Sequence, residues 1–187
     1  MFSSGNRLQF LYVFSENTFF AQNTIDNFKK SVIMNVYNIF LLLEVKIMAI
    51  KMRVLHYTGK AKLQAAAQLI KDEYELAINA VDTIPPAYSC NNERIVILAL
   101  SVKNDADDTL RRFLIELTKS RAQNVAIIAD GNEEGVAKVK TYLSAGGTNI
   151  IDPVLYMKVG LFGGKKLSDD ETAQLKEWLK TVVASLA

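Results

Sequence analysis

Cysteine and histidine are almost missing from this 187-residue chain, which contains one of each. Cys90 has no partner for an intramolecular disulfide, and a single thiol cannot build a Cys-based metal cluster. His56 alone excludes a multi-histidine metal site, and a serine or cysteine triad would have to take its imidazole from this residue. The sequence therefore predicts no bound metal, and a reducing compartment, the cytoplasm, is the default location.

Excess charge of either sign is also missing. Lys and Arg number 22 against 20 Asp and Glu, which leaves a net charge of +2. Because the basic residues are interleaved with acidic ones and form no basic face, the sequence predicts no nucleic-acid partner. Half of the residues are apolar, at 50%. A chain of this size and composition can bury a core of ordinary size in one domain plus an extension.

Residues 1–50 lack turn clusters, clear helix caps and, apart from Gly5, glycine. Within their apolar part, Glu44 and Lys46 leave about thirteen uncharged residues from Ser31 onward, short of the roughly 20 that a membrane-spanning helix needs. We therefore expect no membrane span, and we divide the chain into an atypical leader, 1–50, and a domain, 51–187. Three interpretations of the leader stay open: a non-native or mis-started segment ahead of Met48 or Met52, an amphipathic accessory element, or a membrane-associated element.

From residue 51 onward, short apolar runs alternate with segments of helical periodicity. The apolar runs predict five strands, at 53–57, 74–81, 94–100, 124–129 and 148–155. Helix caps are expected at Asp105 and at Ser168, the latter with Glu171 in a capping box. The link 83–93 is too short for a long helix, and Gly160, Gly163 and Gly164 predict a loop. Pro153 indicates that the last strand lies at an edge or is bulged.

Five strands alternating with helices predict an α/β fold with a doubly wound parallel sheet and helices on both faces. We expect the strand order 2-1-3-4-5, which brings the loops after strands 1, 3 and 4 together at one edge. The first of these loops, Thr58-Gly59-Lys60, leads directly into an alanine-rich helix. The free amides of such a helix start favour an anion. Lys60 and Lys62 are unfavourable beside a positive helix end, so they indicate either a bound anion or ordinary solvated surface lysines.

Residues 52–187 resemble the flavodoxin family. The likeness consists of Tyr57-Thr58-Gly59 before a helix, Ile84-Pro85-Pro86-Ala87 after the second strand region, a strand at 95–100 followed by a helix with Phe113, and a capped last helix with Trp178. The resemblance implies noncovalently bound FMN, electron transfer to a redox partner protein, and the activity of an electron-transfer flavoprotein or small flavin-dependent oxidoreductase. It places the phosphate in the loop after strand 1 and the flavin ring between the loops after strands 3 and 4.

Transferred to this chain, the resemblance implies a cofactor site without catalytic side chains. The residues of the three loops are Tyr57, Thr58, Gly59, Lys60, Ala61, Lys62, Ser101, Val102, Lys103, Asn104, Asp130, Gly131 and Asn132. The family's phosphate loop is rich in Ser and Thr and ends Thr-Gly-Asn-Thr, whereas here Lys60 replaces Asn and Ala61 replaces the closing Thr. His56-Tyr57 also run directly into Thr58 without the intervening serines, so compared with the family the loop is about two residues short and lacks most hydroxyl donors. A second function stays open: a flavodoxin-fold module that no longer binds flavin and acts by binding partner proteins.

Three other residues have two interpretations each. Gly131 allows a ligand to approach closely, but Asp130-Gly131-Asn132 would serve equally as a turn and helix cap. His56 fits either a pocket position or a structural position at a strand end. Cys90 lies in a polar segment without an obvious group to lower its pKa, so we expect an unreactive thiol.

Overall fold

The computed structural model of the chain describes residues 31–35, 50–158 and 166–186. The chain divides into two units, 1–49 and 50–187. In the first unit, residues 31–35 are helical. The remainder of the predicted leader up to residue 49, and the loop predicted at Gly160, Gly163 and Gly164, lie outside the described residues. Among the described helices, none is both long and apolar enough to cross a membrane.

The second unit consists of alternating strands and helices. The strands are β1 (Met52–Tyr57), β2 (Val81–Ile84), β3 (Ile95–Val102), β4 (Asn124–Gly131) and β5 (Asn149–Tyr156). The helices are α1 (Ala61–Glu73), α2 (Asp108–Glu116), α3 (Glu133–Ala145) and α4 (Asp169–Ala184), with a short 3-10 turn at Ile78–Ala80. All strands pair in parallel in the order β2-β1-β3-β4-β5, which confirms the predicted fold class and strand order.

The sheet is covered on both faces, and β3 shows why its sequence is apolar throughout. Ile95, Ile97 and Ala99 belong to the core under α1 and α4, whereas the alternate residues belong to the core under α2 and α3. Successive side chains of a strand point to opposite faces, so a central strand between two helix layers needs apolar residues at every position. Burial of each large side chain contributes about 1.5–3 kcal/mol to folding.

The predicted position of the second strand was wrong. Residues 74–81 were expected to form it, but β2 begins only at Val81, where that residue pairs with Val54 of β1. Tyr74 instead closes α1 by donating its backbone N–H to Ile70 O, and Glu75 has a positive φ of 47°. Ile78 is 85% exposed. The apolar residues of this segment are thus partly at a helix end and partly on the surface.

The link between β2 and β3 contains no helix, as expected. A buried arginine holds it against the sheet: Arg53 Nη1 donates to Tyr88 O at 2.7 Å, and Arg53 Nη2 lies 3.8 Å from Asp82 Oδ2. Asp82 in turn accepts the N–H of Ala87 at 2.8 Å. Cys90 belongs to this link and is 4% exposed.

The helix caps and the position of the edge strand agree with the sequence predictions, except for the cap of α2. Ser168 and Glu171 form the predicted capping box of α4. The cap of α2 is Asp107, not Asp105, because it is the Asp107 side chain that accepts the N–H of Leu110. β5 lies at the edge with a register shift opposite Ala126–Ile128, and Trp178 donates its ring N–H to Pro153 O at 2.6 Å.

β3 and β4 are each longer than predicted and stay paired through Val102 and Gly131. A Cβ added to Gly131 would lie 1.7 Å from Val102 O, and one added to Gly135 would lie 2.7 Å from the same oxygen. No real Cβ tolerates such a distance. Both glycines are therefore required by the packing of β4 and α3 against the end of β3.

Gly131→Ala tests this close approach. We expect it to lower the free energy of unfolding by about 3 kcal/mol, the upper part of the usual overpacking range, because backbone must move to admit the methyl group. Gly147→Ala is the matched control: its φ is 74° and no atom lies within 4 Å of an added Cβ. It should cost only about 1–2 kcal/mol of backbone strain. Urea unfolding of both variants measures the difference, and equal losses would contradict the packing argument.

Candidate functional site

The candidate site lies at the carboxyl edge of the sheet, between the ends of β1 and β3. The helix after β1 packs on one face of the sheet and the helix after β3 on the other. A crevice forms where neighbouring strands send their helices to opposite faces, and ligands bind there in folds of this class. The connection from β1 to α1 is short: Thr58 and Gly59 form an exposed turn, and Lys60 is already the N-cap of α1.

The start of α1 differs from those of the other three helices. Asp107, Asn132 and Ser168 cap α2, α3 and α4 through their side chains, and each of those helices has an acidic residue in its first turn. α1 has neither, because Lys60 makes no side-chain capping bond. The first amides of α1 therefore keep their hydrogen-bonding capacity and the partial positive charge of the helix end.

Lys60 and Lys62 have different surroundings. Lys62 Nζ lies 2.5 Å from Glu171 Oε1 and donates to Lys158 O at 3.1 Å, and its side chain is only 13% exposed. The hydrogen bond from Lys62 is the main reason that the pKa of Glu171 is lowered. Lys60 is half-buried, and within the part of the chain that the structure describes it has no ion-pair partner. Of the two lysines, Lys60 is the cation whose charge is not offset.

A hydrogen bond between side chains crosses the crevice itself. The phenol of Tyr57, at the end of β1, donates to Asp107 Oδ2, while Asp107 Oδ1 accepts the N–H of Leu110 at 2.8 Å. These bonds lower the pKa of Asp107, the Leu110 amide more than the phenol. The pKa of Tyr57 is raised, first by its bond to Asp107 and then by burial. β1 is thereby tied to the first residue before α2.

A second tyrosine ties the same loop from the other side. The phenol of Tyr142, on α3, donates to Asp105 Oδ1 at 2.9 Å, and this bond is the main cause of the lowered pKa of Asp105. The segment between β3 and α2 is therefore fixed at two carboxylates, one toward β1 and one toward α3. Neither bond was predicted, since nothing in the sequence relates residues 37 or 50 positions apart.

Five of the residues assigned to the three loops lie in strands, the first being Tyr57 at the end of β1. Ser101 and Val102 end β3, and Asp130 and Gly131 end β4, so both loops begin two residues later than predicted. Ser101 Oγ donates to Asp130 Oδ2 at 2.9 Å. Val102 and Asp130 are buried, at 3% and 7% exposure. The strands extend because each additional residue pair continues the ladder and buries another side chain.

The remaining predicted residues lie at the same edge, either exposed or in contacts within the fold. Lys103 and Asn104 are exposed in the turn after β3. Asn132 caps α3 by accepting the N–H of Gly135 at 2.9 Å. Gly131 is explained by its contact with Val102, so the glycine requires no ligand. Ala61 is exposed at the start of α1.

His56 and Cys90 have structural surroundings. His56 is 8% exposed within β1, with its Nδ1 3.4 Å from Tyr57 O. Burial raises the pKa of the Cys90 thiol and outweighs the opposing effect of Arg53. A raised pKa disfavours the reactive thiolate. Among the described residues no group of His, Cys, Asp and Glu could hold a metal ion.

Among the described residues, two cavities open at this edge. One of about 280 Å³ lies between the ends of β1 and β2 and the start of α2, and one of about 250 Å³ lies between the end of β5 and α4. Enclosed sites for drug-sized ligands usually measure about 300–1,000 Å³. Sequence reasoning missed the first cavity because six of its eight described lining residues, among them Thr83, Pro85 and Thr109, lie outside the three loops considered.

Comparison with known proteins gives matches in structure only. No family model matches the chain, and no curated protein sequence matches it. Oxidised flavodoxin 1 from Bacillus cereus superposes with a TM-score of 0.52 at 14% identity, over 73% of this chain and 99% of that one. The flavodiiron core of a Synechocystis protein superposes with a TM-score of 0.54 at 12% identity, over 74% of this chain and 36% of that one.

The superpositions agree with the topology. The chain spans nearly the whole flavodoxin but only about a third of the flavodiiron core. Its five parallel strands follow the order β2-β1-β3-β4-β5. In that order two helices cover each face and the crevice lies between β1 and β3. The chain therefore has the flavodoxin-like fold.

Proposed function

We propose that this chain is a flavodoxin-like electron-transfer protein that binds FMN at the carboxyl edge of its sheet. The observation that supports this most directly is the uncapped start of α1 at the crevice, with Lys60 beside it. Free amides at a helix start, the helix dipole and a lysine all favour a phosphate group. In the other three helices, acceptors from the protein itself occupy that position.

The phosphate and the isoalloxazine of FMN would contact different parts of this edge, and the phosphate has the better defined position. Its phosphate fits the amides of Gly59, Lys60 and Ala61, with the Lys60 ammonium as the counter-charge. Lys62 contributes little, since Glu171 already offsets its charge. The isoalloxazine would lie on the open edge beside Tyr57, because the neighbouring cavity measures only about 280 Å³. When bound, FMN supplies the redox chemistry, and the protein binds and orients it.

The proposed electron transfer also requires a redox partner protein. A redox partner protein would exchange electrons with the flavin at the open edge, as an electron-transfer flavoprotein or a small flavin-dependent oxidoreductase requires. We place this activity in residues 51–187 and in the cytoplasm, with residues 1–50 as a separate leader.

A second candidate is a flavodoxin-fold module that binds partner proteins and no flavin. Two contacts favour it. Glu171 neutralises Lys62, and Asp107 holds Tyr57 across the crevice, so groups of the protein itself satisfy charges and hydrogen bonds that a cofactor would otherwise satisfy. In this alternative Lys60 is an ordinary surface lysine.

Titration of the full chain with FMN, followed by flavin fluorescence, separates the two candidates. We expect saturable quenching with FMN and weaker quenching with riboflavin, which lacks the phosphate. Lys60→Ala should weaken FMN binding about ten-fold, the usual effect of one charged hydrogen bond, and leave riboflavin unchanged. Lys71→Ala is the matched control, since Lys71 lies in the last turn of the same helix. Absence of quenching and of any thermal shift at high FMN concentration would overturn the electron-transfer proposal.

The hydrogen bond from Tyr57 should be visible in the titration of Asp107. Tyr57→Phe should raise the pKa of Asp107, though not to its ordinary value, because the Leu110 amide still lowers it. A carboxyl with a lowered folded pKa stabilises the fold above its unfolded pKa and loses that contribution as the pH falls through the folded pKa. Tyr57→Phe should therefore lose less stability than the parent chain on acidification below about pH 4.

Tyr142→Phe provides the control for that experiment. It should raise the pKa of Asp105, whose main partner is the Tyr142 phenol, and leave Asp107 unchanged. Carboxyl carbon resonances followed by NMR against pH report both groups. A Tyr57→Phe protein in which Asp107 titrates as before would show that the bond across the crevice does not form in solution.

A further inference from the structure

The cavity of about 280 Å³ beside Tyr57 is lined by both apolar and polar residues. Its buried apolar residues are Ile84, at the end of β2, and Leu110, in the first turn of α2. Pro85 and the Tyr57 ring add apolar area at the rim. A concave surface with an apolar floor and polar groups at its rim is the usual form of a small-molecule site.

Hydroxyl-bearing residues dominate the polar part of this cavity. They are Tyr57, Thr58, Thr83 and Thr109. Tyr57 uses its hydroxyl to bind Asp107. Nowhere in the described part of the chain do the three threonine hydroxyls find a hydrogen-bond partner. A free hydroxyl can both donate and accept, so it pairs best with ligand groups that also do both.

Among the described residues, Asp107 is the one charged residue that lines the cavity. Its carboxylate accepts from the Tyr57 phenol and the Leu110 amide, and the Thr109 amide acts on it as a further, weaker donor. A carboxylate has about four acceptor positions, so one remains available for a ligand hydroxyl. The same negative charge repels a phosphate, and no lysine or arginine among the described residues lines the cavity to offset it.

We infer that this cavity is a binding site for an uncharged polyhydroxylated ligand, such as a sugar alcohol or the polyol part of a larger molecule. Asp107 accepts a ligand hydroxyl, Thr109 and Thr58 exchange hydrogen bonds with further hydroxyls, and the C–H groups lie on Ile84 and Leu110. This inference does not depend on FMN binding. Only Tyr57 and Thr58 are shared with the predicted cofactor site, and the other lining residues come from β2 and α2.

NMR titration of the full chain with ribitol tests the inference directly. Amide resonances at 83–84 and 107–110 should shift in a saturable manner in the millimolar range, while those of α4 should stay in place. Thr109→Val, a substitution of nearly equal size, should weaken ribitol binding about five-fold through loss of one hydrogen bond. Thr109→Ser keeps the hydroxyl and should retain parental affinity, and the unfolding transitions of both variants report whether they fold.

Two charged probes, tetramethylammonium and inorganic phosphate, distinguish a polyol site from an ion site. Tetramethylammonium at the same concentration should shift these amides less than ribitol does, and a stronger effect would make the cavity a cation site and overturn the inference. Inorganic phosphate should act at 59–62 and not at 107–110. Ribitol shifts that are no larger in the cavity than in α4, or a Thr109→Val protein with parental affinity, would also overturn it. Loss of FMN binding with retained ribitol binding would reject only the proposed electron-transfer function.

Discussion

The parallel pairing of β3 with β1 on one side and β4 on the other is the constraint on which the rest of the structure depends. β3 pairs with β1 from Ile95 to Ala99 and with β4 from Val96 to Val102. Its side chains belong to both hydrophobic cores, as do those of its neighbours β1 and β4, so the three central strands together join the two helix layers. The same pairing sets the crevice, because β1 sends its helix to one face and β3 sends its helix to the other. The pairing also explains Gly131 and Gly135. A side chain at either position would collide with the backbone oxygen of Val102, so glycine allows β4 and α3 to pack against the end of β3.

Most of this architecture was predictable because it arises from patterns that are local in sequence. Continuous apolar runs located β1, β3 and β4, and the Ser168–Glu171 pattern located the start of α4. Prediction failed for β2 because segment 74–80 contains apolar residues that end a helix or face solvent, and a short edge strand carries little periodicity of its own. It also failed at strand ends. Whether Ser101 and Asp130 lie in loops or strands is decided by pairing between strands, which neither segment reveals alone.

The chemistry of the edge was much less predictable than the fold. Lys60 and Lys62 are equivalent in sequence, two residues apart at one helix start. They differ in the structure because Glu171, 109 positions away, and the carbonyl of Lys158 lie beside Lys62. Likewise the cap of α2 was predicted at Asp105 but is Asp107, and what separates the two is contact with Tyr142 and with Tyr57 plus the Leu110 amide. Such contacts join elements distant in sequence, so they follow from the topology and cannot be assigned before it is known.

Charge at this edge is arranged in two neighbouring zones, and this arrangement limits what each can bind. The start of α1 combines free amides with Lys60 and favours an anion. Across the crevice, Asp107 closes the start of α2 with a carboxylate that both a phenol and an amide keep ionised. An anion is therefore stabilised on the β1 side and repelled on the α2 side, whereas hydroxyl groups are accepted on the α2 side. A ligand bound over both zones would place its negative charge at α1 and its neutral polar part toward α2, so electrostatics would fix the orientation of that ligand before any shape complementarity is required.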